Sequence, residues 1–220
     1  EVVESVKNDL VGKKIKRSND ITEYTYLALR NAVAEIIDIP GKSMTEMIEE
    51  KNTNLDDKDE IARKIGVGAV IFNDLKNYRT SDIEFNLEDI LKFEGNTGPY
   101  VLYTIVRIKS ILAKNIKENG EVSTGVVLQA PATKSEEDLM LTVTKFAENI
   151  YNAYRDDAPH RICQYIYELS ESFNKFYHEN KIVANEDDAQ RNSWIKLIEL
   201  VKNILNTCID LLGFEAPDRM

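Results

Sequence analysis

The strongest constraint on this chain is an apolar stripe. Between Pro159 and Tyr177 the residues Ile162, Tyr165, Ile166, Leu169, Phe173 and Phe176 follow one another at spacings of three, one, three, four and three. At 3.6 residues per turn these positions share one helical face, which must be buried against another element. The pattern recurs in Leu197, Ile198, Val201, Ile204, Leu205, Cys208, Ile209 and Leu212, on a helix beginning near Glu186. Gly213 then suits the left-handed position just past a helix end, and Pro217 prevents continuation. A third such helix runs through Tyr100, Tyr103, Val106, Ile108, Ile111 and Leu112 to about Asn119. It opens at Thr97-Gly98-Pro99, with proline where its missing donor costs nothing. The expected fold class is an all-α helical bundle.

The remaining segments fit this reading. Residues 21–38, 44–51 and 56–78 carry helical spacing, the last with Ile61, Ile65, Val67, Val70, Ile71 and Leu75. Gly66-Val67-Gly68 lies within it. No strand precedes that pair and no third glycine follows, so close packing of two helices explains it better than a nucleotide loop. Residues 81–85 read as a short extended piece, and Asn86 as the N-cap of a brief helix with Glu88 and Asp89 in its first turn. Residues 120–134 form the clearest break, a loop or hairpin insertion. Ser135-Glu136-Glu137-Asp138 resembles a capping box opening one helix from Leu139 to Tyr154.

Bulk properties exclude several classes. No stretch approaches the roughly 18 to 20 apolar residues of a membrane span, and the start has no signal-peptide layout, so a cytoplasmic protein is expected. The first residue is Glu, which suggests a processed product or a piece of a longer chain. Cys163 and Cys208 sit in apolar helical patterns and read as buried thiols. With two cysteines and two histidines, His160 and His178, neither a metal site nor a catalytic triad can be assembled. A net charge of −10 argues against holding DNA or RNA through a diffuse basic surface, so any RNA contact must be local.

Four segments occur together in order: GVGAVIFNDL (66–75), FEGNTGPYVLYTIVRIKSI (93–111), PHRICQYIYELSESFNKFY (159–177) and LLGFEAPDRM (211–220). Together they resemble the C-terminal anticodon-binding domain of arginyl-tRNA synthetases, over about residues 59–220. The resemblance implies a helical bundle of the class I synthetase anticodon-binding type at 59–220, with 1–58 as the end of the catalytic region or a linker. It implies the anticodon stem-loop of tRNA(Arg) and the chain's own catalytic domain as partners, with no membrane or DNA partner. The full enzyme would join arginine to its tRNA using ATP and Mg²⁺; this part requires no cofactor.

RNA bases in loops are recognised by splaying them out and stacking them on aromatic or soft apolar side chains. In the family the residues matching Tyr177 and Met220 lie at the anticodon, and the resemblance carries both roles over. Arg219 could reach a phosphate, or pair with Asp218 or the terminal carboxylate. Asn174, His178 and Lys181 read as polar positions at the same helix end, available for hydrogen bonds or phosphates, as does Lys175. Tyr100, Tyr103 and Arg107 match the family segment where the bundle joins the catalytic domain, and their spacing places them on one face. Leu102 and Ile105 depart from the family there, which often has Gln and His or another polar residue.

The His-x-Gly-His motif of class I adenylation is absent, and no catalytic residue is assigned. Residues 13–20 (KKIKRSND) lie where the second catalytic loop would fall. They lack its Ser-x-Arg-x-Gly order and read equally as an exposed basic turn. The rival expectation is a free-standing synthetase-like bundle serving as a protein-interaction or regulatory module.

Overall fold

A computed structural model describes Lys14, Ile15 and residues 58–220. The expected helices at 21–38 and 44–51, the rest of the basic run at 13–20 and nearly all of the 1–58 segment lie outside the described residues. Seven helices follow in the described part: α1 (Lys58–Leu75), α2 (Leu87–Ile90), α3 (Gly98–Asn119), α4 (Lys134–Thr144), α5 (Phe146–Arg155), α6 (His160–Glu179) and α7 (Asp188–Leu212). Two-residue strands β1 (Lys14–Ile15) and β2 (Ile83–Glu84) pair antiparallel, Lys14 opposite Glu84. The expected extended piece at 81–85 is therefore present. The architecture is an all-α bundle in which α3 packs on α1 and α7, while α6 packs on α4, α5 and α7.

The apolar stripes are what the helices bury. All six stripe residues of α6 are buried, as are the eight counted on α7. On α3 the buried face turns out to include Val101, Leu102 and Ile105, while Tyr103 remains exposed on its flank. Leu102 and Ile105 are fully buried, so these departures from the family lie in the core and supply no surface contact.

Of the two α1 glycines, only Gly68 marks a close crossing. A Cβ there would lie 2.9 Å from Leu102 Cδ1 and 3.1 Å from Phe214 Cδ2, and a Cβ on Gly98 would collide with the Gly68 backbone. Gly66 has nothing within 4 Å of its hypothetical Cβ. The Thr97 hydroxyl caps α3 by accepting from the Tyr100 N–H, and it donates to the Lys92 carbonyl. Asn86 caps α2 as expected, accepting from the N–H groups of Glu88 and Asp89.

Of the two forms expected at the insertion, residues 120–133 take the loop, pinned by the Gln129 N–H on Ser193 Oγ at 3.0 Å. Two local expectations are corrected. The cap of α4 is Thr133, which accepts from the Glu136 N–H while the Glu136 carboxylate reaches back to the Ala132 N–H. The single helix expected from Leu139 to Tyr154 is broken at Lys145. Thr142 and Thr144 turn their hydroxyls onto the carbonyls of Asp138 and Leu141, and the Lys145 N–H closes a tighter turn on Thr142. Such side-chain bonds compete with the regular helical ladder.

At the other end, α7 stops as its sequence demands. Gly213 adopts φ 88°, its N–H bonds to Asp210 and the Phe214 N–H to Ile209, the double closure of a Schellman motif. Phe214 is buried against the bundle beside Gly68. This turn sends the last residues back across α3.

Candidate functional site

An open groove of about 650 Å³ runs where α3, the end of α6 and the C-terminal tail meet. Its lining includes Tyr103, Arg107 and Lys109 from α3, Tyr177 from α6, and Asp218, Arg219 and Met220 from the tail. Residues far apart in sequence thus form one surface. On α3, Tyr103, Arg107 and Ser110 fall four and three residues apart on one helical side, and Lys109 flanks them.

The Arg107 guanidinium lies over two rings, 4.7 Å from the centroid of Tyr103 and 5.5 Å from that of Tyr177. Cation–π contacts at such partly exposed positions contribute about 0.5–1 kcal/mol each and hold the planes in register. Tyr177 also stacks on buried Phe173, with centroids 6.2 Å apart and planes 19° from parallel. One side of its ring is therefore supported by the core while 37% of the residue remains exposed. Phe93 meets Tyr103 edge-on, bracing the opposite wall.

Beneath this surface lies Asn174, which is buried rather than on the polar side of the helix end where sequence reasoning put it. Its Oδ1 accepts from Arg107 Nη1 at 2.6 Å, and its Nδ2 donates to the Tyr100 hydroxyl at 3.0 Å and to Thr104 Oγ1 at 3.1 Å. The amide is consumed inside the protein and fixes Arg107 from below. Burial pushes the Tyr100 hydroxyl above its ordinary pKa, opposed by the bond from Asn174, so it stays protonated.

Met220 is half-buried and packs on the edge of the hydrophobic core. The tail leading to it is held by Lys109, whose Nζ donates to the Pro217 carbonyl at 3.0 Å and to Asp218 Oδ1 at 2.9 Å. That hydrogen bond, reinforced by the lysine's charge, holds the Asp218 carboxyl below its ordinary pKa. Lys64 adds an ion pair to Glu215 at 3.5 Å.

The structure thus brings together Tyr177, Met220, Arg219, Tyr103 and Arg107, and sets Asn174 and Tyr100 as supports underneath. His178 is exposed beside Tyr177, with ring centroids 5.7 Å apart, and Lys181 is exposed just past α6; neither lines the groove. Lys109 escaped the sequence reading because its partners lie more than a hundred residues away, and no local signal announces such a pairing. To a ligand the groove offers two tyrosine faces, a polarizable thioether and arginine cations. These groups suit stacking and charge recognition. Among the described residues no group of three His, Cys, Asp or Glu is placed to hold a metal ion.

The bundle and its tail define the class: residues 101–220 match the DALR anticodon binding domain, over half of the chain, and the chain belongs to that family. Curated relatives similar to this chain include arginine–tRNA ligases. That of Agathobacter rectalis is 46% identical over 175 residues, covering 78% of this chain and 29% of the relative. That of Alkaliphilus oremlandii is 45% identical over 162 residues, covering 74% and 27%. Among solved structures, the arginyl-tRNA synthetase of Thermus thermophilus is similar with a TM-score of 0.74 at 28% identity, covering 93% of this chain and 33% of that one. The chain spans less than a third of the length of these curated relatives.

Proposed function

We propose that this chain is the C-terminal, tRNA-binding part of an arginine–tRNA ligase, and that its groove receives the anticodon stem-loop of tRNA(Arg). The observation that carries the reading is the convergence of Tyr177, Tyr103, Arg107 and Met220, from three separate segments, on one groove. An anticodon base turned out of its loop packs on the exposed part of the Tyr177 ring beside the Arg107 guanidinium, with Met220 as a soft apolar neighbour. Arg107 and Arg219 supply positive charge to the adjoining backbone, a local provision in a chain of net charge −10. His178 and Lys181, exposed at the end of α6, extend this contact toward the stem.

Residues 59–220 form the anticodon-binding domain in this reading, and 1–58 lead into it from the catalytic region. Activation of arginine with ATP and Mg²⁺ belongs to that catalytic domain, the second partner of the bundle, in a cytoplasmic enzyme. The chain alone, without the His-x-Gly-His motif, should not aminoacylate. Titration of the 220-residue chain with the anticodon stem-loop of an arginine tRNA and with an anticodon-altered copy tests the reading. Preference for the arginine anticodon is expected. Absence of binding to either would reject the proposal in favour of a protein-interaction module.

A further inference from the structure

We infer that Lys109 is a positioning residue for Met220, clasping the C-terminal tail so that the last side chain stays in the groove. The inference rests on the functional reading above only for its consequence in RNA binding.

Past Gly213 the chain leaves the helix and must still cross α3 to deliver Met220. Phe214 and Pro217 are buried and anchor the first part. Lys64, 22% exposed, meets the 77% exposed Glu215 carboxylate at 3.5 Å. Lys109, 29% exposed, instead bridges two oxygens of successive residues, the Pro217 carbonyl at 3.0 Å and the 98% exposed Asp218 carboxylate at 2.9 Å, so the backbone itself is held. A lysine ammonium has three donors, so two of them are committed to the tail. Asp218 stands two residues before Met220, and Lys109 two residues after Arg107 on α3. The same turn of helix therefore sets the arginine wall and the apolar end of the groove relative to each other. The clasp also neutralises a carboxylate beside a surface meant for phosphate-bearing ligand.

The alternative role for a lysine in this place is a direct phosphate contact, and a double-mutant cycle separates the two. In the chain labelled with ¹³C at the methionine methyls, the Met220 signal should be displaced by the rings of Tyr103 and Tyr177. Lys109→Leu should return it to the position of an exposed methionine, and Lys109→Arg should restore it. The Met140 methyl, packed on the core, should not move in either and so reports an intact fold. With the arginine anticodon stem-loop as probe, Lys109→Leu should weaken binding roughly tenfold in the native background, and little once Met220 is deleted. An unmoved Met220 signal in Lys109→Leu, or an equal loss of affinity with and without Met220, would overturn the inference. If the intact chain fails to bind the stem-loop, the functional reading falls while the methyl signal still decides the clasp.

Discussion

Asn174 illustrates how a side chain can serve a surface site without meeting its ligand. Its carbonyl holds Arg107 and its amide NH₂ holds Tyr100 and Thr104, so all its strong partners lie inside the protein. Replacing it with Leu leaves these groups unsatisfied in a buried place, which should cost about 1–3 kcal/mol in urea unfolding. The sequence showed a polar residue beside Phe173, where a solvated face is the ordinary meaning. Asn174 and Thr104, with the Tyr100 hydroxyl, instead form a polar seam between α6 and α3, and nothing local distinguishes such a seam from a surface. The exposed place of Tyr177 was legible because it stands a step off the apolar stripe, whereas the place of Met220 in the groove had no signal in the spacing and came only with the family resemblance. The clasp of the tail was not legible, since it depends on two residues brought together only by folding.

Among the elements, the crossing of α1 and α3 turns on backbone approach. Gly98→Ala should destabilise the bundle by more than about 2 kcal/mol, because its Cβ meets the Gly68 backbone, which cannot rotate away. Gly66→Ala should stabilise it by about 0.5–1 kcal/mol, since the site is open and mid-helical. Chemical denaturation of both variants checks the pair, and a comparable loss in each would contradict the assigned crossing. Sequence periodicity revealed α1, α3, α6 and α7 because long stripes average out local exceptions. It missed the break at Lys145, where apolar spacing continues across the junction. The break is marked by the Thr142 and Thr144 hydroxyls bonding backward and by the tight Lys145 N–H turn onto Thr142, none of which alters the apolar spacing.

At the scale of the whole molecule, the core protects both thiols. Burial pushes Cys163 and Cys208 up to about 12 from an ordinary 9.0. The folded state therefore keeps protons that the unfolded chain releases, so this contribution to stability is complete below 9.0 and is lost as pH rises toward 12. Urea midpoints should fall across that range, and a thiol reagent at about pH 8 should label neither cysteine until the chain unfolds. Rapid labelling of the native chain would contradict the closed core. That core exists to hold a small groove in register, and the central claim is that Tyr177 reads an anticodon base there. The most direct test is the ratio of affinities for the arginine anticodon stem-loop and its altered copy, measured for the intact chain, Tyr177→Phe and Tyr177→Ala. Stacking on a supported ring predicts that Phe retains the ratio, while Ala loses about 1–3 kcal/mol of binding and with it most of the discrimination. A ratio unchanged in Tyr177→Ala would contradict the account.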